Sequence, residues 1–422
     1  MLDISVVRED PELVKRSMRR RNMNPSVADE VLNRDSEWRA VLTEGNELRH
    51  RKNVLAQEIK ELKQKGEDIS EKVKETKELP GKIKAVEERE KELREQIRQL
   101  MLEIPNILHE SVPDGVDDTE NVEVKRWGDF KEYDFELKSH VDVMDELNLL
   151  DTDRAGKVAG SRFYYLKNEA VLLDMALICV ALHHMKEKGF QLMETPCMLN
   201  RRSVEGCVDM SAFEDVLYKV EDEDLYLTAT SEHTLASYHM DEILEVDDLP
   251  LRYAGFSACF RKEAGAHGKD TKGVFRSHQF NKVEQFVFST PAQSWDEHEL
   301  MIQNAEGIFQ KLEIPYRVVN VCTGDLGGVA AKKYDIEAWM PKQQMFREVV
   351  SCSNCTDYQA RELNVRYRTP EGNKFVHTLN STALATSRAI VAIFENFQHE
   401  DGSVVVPRAL REYMGIDTIK RK

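Results

Sequence analysis

The chain has 422 residues, 41% hydrophobic and 32% charged, with a net charge of −17. That length holds two or three domains with a sizeable core, and that charge confines any nucleic acid to local basic patches. Seven cysteines, an odd number scattered along the chain, argue against a disulfide framework and for a reducing, cytoplasmic compartment.

The start, MLDISVVREDPELVKRSMRR, has no apolar run after its charges, so no signal peptide is expected. The longest apolar run, 170–182, contains Asp174 and is too short to span a bilayer, so no membrane partner is expected. Residues 1–26 read as a short strand and a helix that carries Arg19, Arg20 and Arg21.

Over residues 27–101 charge dominates, aromatics nearly vanish and apolar residues recur at sevens. Val41, Leu48, Leu55 and Leu62 form one series; Leu79, Val86, Leu93 and Leu100 form another, with Ile83, Ile97 and Ile104 offset from it. Two heptad runs around a Lys-Gly-Glu-Asp turn at 65–68 predict an antiparallel coiled-coil hairpin. A helix of ~35 residues is roughly 50 Å long, so this arm should project well beyond a globular body. Pro80-Gly81 predicts a kink or short break in the second helix. Arg49, Arg51, Lys52, Lys60, Lys63 and Lys65 cluster on the outgoing helix, as they would on any charged coiled-coil exterior or on a phosphate-binding arm. The N-terminal domain is thus set at 1–104, a Pro-, Gly- and Asp-rich linker at 105–138, and a third segment at 139–422.

In that last segment 169–188 is an amphipathic helix stopped by Gly189, followed by a strand at 190–194. A strand at 225–227 leads into Thr230-Ser231-Glu232, which alone is an ordinary helix N-cap. The stretch FSACFRKEAGAHGKDTKGVFRSHQFNKVE, 256–284, reads as strand, polar loop, strand. Residues two apart on a strand share a face, so Arg276, His278, Phe280, Lys282 and Glu284 are expected to point the same way. Such a face is either solvated or a floor for a polyanion with an aromatic base. A helix at 294–312, strands at 316–321 and 333–339, and the stretch Phe346 to Cys355 follow. Cys352 and Cys355 have the spacing of half a zinc site, but no second Cys-x-x-Cys exists, so zinc is not expected. Glu348 and Ser351 offer oxygens suited to Mg²⁺. A strand at 377–383 carries Asn380, Ser381 and Thr382, and a helix with Arg388 comes next. No phosphate-binding Gly-rich loop occurs, so ATP, if used, must be held by arginines and metal.

Taken in order, the FRKE…FRSHQFNKVE pair, the helix–strand–proline unit before Thr195-Pro196, and the Asn380 to Arg388 strand–helix resemble the three motifs of class II aminoacyl-tRNA synthetases. With the arm, they are similar to the seryl-tRNA synthetase family over essentially the whole chain. The resemblance implies an α+β fold: the hairpin plus a catalytic domain on an antiparallel sheet flanked by helices. It implies ATP-dependent serylation of tRNA(Ser) through seryl-adenylate, and of tRNA(Sec) where present. Arg261, Glu284 and Arg388 would be catalytic. ATP would meet Arg261, Lys262, Glu263, Arg276, Ser277, Phe280, Glu348, Val349, Val350, Ser351 and Arg388, with Mg²⁺ on Glu348 and Ser351. L-serine would meet Thr230, Ser231, Glu232, Glu284, Asn380 and Thr382. The loop 264–273 would be mobile and meet the tRNA acceptor end, the arm would hold tRNA, and the chain would be a homodimer.

Three other readings compete. One is a relative that activates an amino acid without charging tRNA; a truncated or neutral arm would favour it. Another is a class II enzyme for threonine or proline. The third is a coiled-coil scaffold with a globular head, which needs no ATP.

Overall fold

The computed structural model describes residues 1–208, 215–263 and 272–421, in two compact units, Met1–Ile107 and Leu108–Lys422. The first unit is all helix. The strand expected at the start is instead a helix, α1 (Ile4–Glu9), followed by α2 (Pro11–Arg20). Asp3 and Asp10 each accept a bond from an orphan N–H of the helix that follows, and Pro11 sits in the first turn of α2. Capping therefore overrides the strand-like Ile-Ser-Val-Val.

The hairpin consists of α3 (Ser26–Lys65) and α4 (Ser70–Leu102), with Gly66 closing α3 at φ 71°. Only glycine holds that left-handed cap without strain. The seam buries Leu55, Leu79, Val86, Leu93 and Ile97, each side chain contributing about 1.5–3 kcal/mol. At Gly45 an added Cβ would stand 3.2 Å from Val86, so the helices approach closely there. The break expected at Pro80-Gly81 is absent: α4 runs through both residues. Leu79 anchors the seam while Pro80 and Gly81 are exposed, so water can satisfy the carbonyl that loses its donor. Arg49 and Arg51 pair across the hairpin with Glu87 and Glu75; Lys52, Lys60, Lys63 and Lys65 are exposed.

The second unit is built on an eight-stranded sheet. In chain order its strands are β1 (Val122–Trp127), β2 (Gln191–Glu194), β3 (Leu251–Phe260), β4 (Gln279–Ser289), β5 (Tyr316–Asn320), β6 (Lys332–Met340), β7 (Met345–Asn354) and β8 (His377–Ala385). Their order across the sheet is β1-β5-β6-β7-β8-β4-β3-β2. All neighbours are antiparallel except β2 and β3. The region set as a linker, 105–138, therefore contains an edge strand of this sheet, and the division falls at 107/108. Its Pro and Asp residues masked a Val-Glu-Val-Lys-Arg-Trp strand that Trp127 fixes by stacking on Tyr316.

Helices α5 (Glu169–Glu187), α7 (Ser294–Lys311) and α8 (Thr386–Asn396) cover one face of the sheet, and a short helix α6 (Ser231–Ala236) lies on the other. Strand alternation on β4 separates the two environments. Val283 and Val287 join the core under the helices, and Gln285 donates to the Met301 carbonyl of α7. Phe280, Lys282 and Glu284 face a cavity on the opposite side.

A direct test of the arm follows from Pro80. Pro80→Ala should stabilise α4 by about 1–3 kcal/mol, read as a higher denaturant midpoint with unchanged helix content. An unchanged or lower midpoint would mean that the proline is already accommodated at no cost.

Candidate active site

The cavity, about 540 Å³, opens on the sheet face away from α5, α7 and α8. It is built at the centre, where β4 lies between β3 and β8. Glu284 is opposite Gly255 on one side and Thr382 on the other. A Cβ at Gly255 would stand 2.8 Å from Leu235, so glycine there lets α6 lie flat on the sheet. The Thr382 hydroxyl donates to Glu284 Oε2 at 3.3 Å, and Lys282 Nζ lies 2.5 Å from the same oxygen. Lys282 and Glu284 are both buried, and a carboxylate so deep in the protein needs such partners.

Thr230 caps α6 by accepting from the Glu232 N–H, so the N-cap role holds together with a place in the cavity wall. Glu232 accepts from Gln359 at 3.1 Å. Burial, and then the neighbouring Glu284, push its carboxyl up to about 7. Ser231 points away: its hydroxyl donates to the Gly255 carbonyl and is fully buried. Asn380 lines the same end and donates to the Cys355 sulfur at 3.5 Å.

At the other end the Arg261 guanidinium stands over the Phe280 ring, 5.4 Å from its centroid. Glu263 lines the cavity with them. Arg388, from the first turn of α8, donates to both the carbonyl and Oε1 of Glu348 at 3.0 Å. This guanidinium holds the Glu348 carboxyl down at about 2, even though the side chain is 46% exposed. Glu348 and Ser351 are three apart and would face opposite ways on a regular strand. A register shift between β6 and β7 at Val349 turns both into the cavity. A second shift, in β8 at Ala383, lets Asn380, Thr382 and Ala385 all line it.

Several expected residues stand elsewhere. β4 begins at Gln279, so Arg276 and His278 do not share its face. His278 Nδ1 meets the Arg261 carbonyl at 2.8 Å, and Arg276 sits 3.8 Å from Glu263. Lys262 is exposed, Ser277 buries its hydroxyl on the Gln279 carbonyl, and Val350 belongs to the core; none lines the cavity. The loop 264–273 lies outside the described residues over 264–271. Cys352 is buried beside His298, and no group of three or more His, Cys, Asp or Glu is placed to hold a metal among the described residues. Sequence reasoning missed Lys333 and the 325–330 loop that completes the wall. Their only signal was the pleat, which puts Lys333 on the face of Ser353 across the ladder.

Comparison with known proteins bears on the family and the fold. The family description "Seryl-tRNA synthetase N-terminal domain" matches residues 1–108, and "tRNA synthetase class II core domain (G, H, P, S and T)" matches 218–397. The chain is 54% identical to the serine–tRNA ligase of Methanospirillum hungatei, over 98% of this chain and 99% of that one. It is similar to the crystal structure of seryl-tRNA synthetase from Pyrococcus horikoshii complexed with ATP, with TM-score 0.96, 52% identity and full coverage of both chains. It is also similar to the cytoplasmic enzyme of Naegleria fowleri in complex with AMP, with TM-score 0.92, 36% identity, and 100% and 99% coverage.

The raised Glu232 carboxyl has a measurable consequence. A carboxyl titrating higher in the folded than in the unfolded chain stabilises the fold below its unfolded value, and this advantage is lost as pH rises to about 7. Glu232→Gln should therefore match the unsubstituted protein at pH 4 and exceed it at pH 8 by about 1–3 kcal/mol, cavity water screening the upper end. Denaturation at the two pH values checks this; a constant difference would place the charge in free solvent.

Proposed function

Because the chain belongs to the seryl-tRNA synthetase family, we propose that this cavity joins serine to tRNA at the expense of ATP in two steps. A serine carboxylate oxygen attacks the α-phosphorus of ATP, the bond to the bridging oxygen breaks, and pyrophosphate leaves. A hydroxyl of the terminal adenosine of tRNA then attacks the seryl carbonyl, releasing AMP and a proton. Both steps depend on positioning and charge stabilisation more than on a strong base.

The observation that carries the reading is the buried Thr382–Glu284 pair in one cavity with Arg261, Glu348 and Arg388. Thr382 and Glu284 read the serine hydroxyl, with Asn380 beside them, and Glu232 takes the ammonium. Alanine is rejected because these polar groups would be left unpaired, whereas threonine is excluded by the walls of the cavity. Arg261 neutralises the α-phosphate, and Phe280 gives the adenine a flat face. Arg388 holds the phosphates, and Glu263 and the Val349 backbone meet the nucleoside. Lys262, Arg276, Ser277 and Val350 contribute only if their segments move when ATP binds; Ser231 acts through its packing under α6.

The donor set fits Mg²⁺. Glu348 and Ser351 present hard oxygens on one face, and the buried Asp335 behind them has an oxygen without a partner. Mg²⁺ there would offset phosphate charge as pyrophosphate forms.

A second copy of the chain fits the far side of the unit. Val171, Leu172 and Met175 are exposed along α5, beside the edge strand β2 with its exposed Leu192. An apolar stripe next to an open strand suits a homodimer interface. The arm's exposed lysines suit the phosphates of tRNA(Ser), read by shape, and the loop 264–273 suits the acceptor end; tRNA(Sec) would share both contacts. All seven cysteines are free thiols, in keeping with a cytoplasmic setting. No helix among the described residues is long and apolar enough to cross a membrane.

Two experiments test the reading. Glu284→Ala should lower serine-dependent ATP–pyrophosphate exchange about a hundredfold or more; full activity would remove Glu284 from the serine site. Deleting 44–88 should leave exchange intact and weaken tRNA charging, whereas equal loss of both would make the arm purely structural.

A further inference from the structure

Asp335 of β6 is 4% exposed, and its Oδ1 has no hydrogen-bond partner. It stands directly across the ladder from Ser351, on the same face of the sheet. Lys333, two residues back on the same face, lies 3.9 Å from Oδ2 and donates instead to the Asp325 carbonyl at 3.0 Å. Lys333 offsets only part of the burial cost, which pushes the carboxyl above its ordinary value, and one oxygen is left free. Such a group is costly to bury without a purpose, and none of the substrate contacts above uses it.

Ser351 supplies the reason. A neutral hydroxyl can hold a cation only through a lone pair, so its proton must point away and find an acceptor. Glu348 cannot meet the need for charge alone, because Arg388 already shares its carboxylate. We propose that Asp335 is a positioning residue for the divalent cation of the ATP site: it accepts a hydrogen bond from the Ser351 hydroxyl, turns a lone pair of that oxygen into the cavity, and adds negative potential behind it. This rests on the assignment of Glu348 and Ser351 to Mg²⁺. Partners standing behind a ligand in this way set its orientation and basicity, and their loss typically weakens metal binding 10–100-fold.

The test uses Mn²⁺ binding to the full chain with ATP present and serine absent, followed by electron paramagnetic resonance. Asp335→Asn places an amide N–H against Ser351 and reverses the bond, so half-saturation should need about ten times more Mn²⁺, with the KM for serine unchanged. Asp335→Ser lets a water accept the proton and should lose less. A role in packing alone predicts the opposite order, because Ser leaves a void and Asn does not. That order, or unchanged Mn²⁺ binding in both variants, overturns the proposal. Should Asp335→Asn fail to fold, the Ser351→Ala background decides: Asp335→Ser must weaken Mn²⁺ binding more when Ser351 is present than when it is absent. Equal effects in both backgrounds overturn the proposal. If the unsubstituted protein shows no serine-dependent exchange, the proposed function itself falls. Exchange with insensitive Asp335 variants removes only Asp335.

Discussion

Two carboxylates and one ammonium in the middle of the sheet govern the second unit. Glu284 is held by Lys282 and the Thr382 hydroxyl, and Glu232 stands close enough for Glu284 to raise its carboxyl. Lys282 balances one negative charge and leaves the other for an incoming cation. Few arrangements tolerate this in a low-dielectric setting. The fold provides one by placing Glu284 on β4, between β3 and β8, where ladders on both sides fix the backbone. Gly255 then lets α6 bring Glu232 down onto the same spot.

The nucleotide end follows a different rule. Its cations come from the end of β3 and the start of α8, and its anion comes from β7. Arg261 rests on Phe280, and Arg388 rests on Glu348. Both guanidiniums are thus ordered before any phosphate arrives, which lowers the entropy cost of binding one. Serine and nucleotide ends differ in this respect: the first is a largely buried network held by Lys282, Thr382 and Gln359 with one negative charge left over, and the second is partly open with arginines resting on groups that a ligand could displace.

The hairpin was legible in the sequence because its cause is local. Heptad spacing decides which side of each helix is apolar, and Gly66 ends α3 whatever lies around it. The local rule that failed, at Pro80, failed where exposure relieved the lost bond. The strand expected in the first residues failed because Asp3, Asp10 and Pro11 act as caps, and caps outweigh a short run of β-branched residues.

Residue order alone determined the helical arm, most of the strands and helices beyond residue 138, and the shared face of Phe280, Lys282 and Glu284. These follow from spacing and side-chain chemistry, which act between near neighbours; the joining of Glu348 and Arg388 to that face came from the family resemblance, not from spacing. Tertiary structure alone decided which of them face the cavity. The shifts at Val349 and Ala383 change the parity of β7 and β8, turning Glu348 and Ser351 together while Val350 stays in the core. The late start of β4 takes Arg276 and His278 off its face, and the pairing with β6 brings in Lys333, with Asp335 buried behind Ser351. The physical reason is that a strand's side-chain direction depends on its ladder to another strand far away in sequence, and one extra residue in that ladder reverses it.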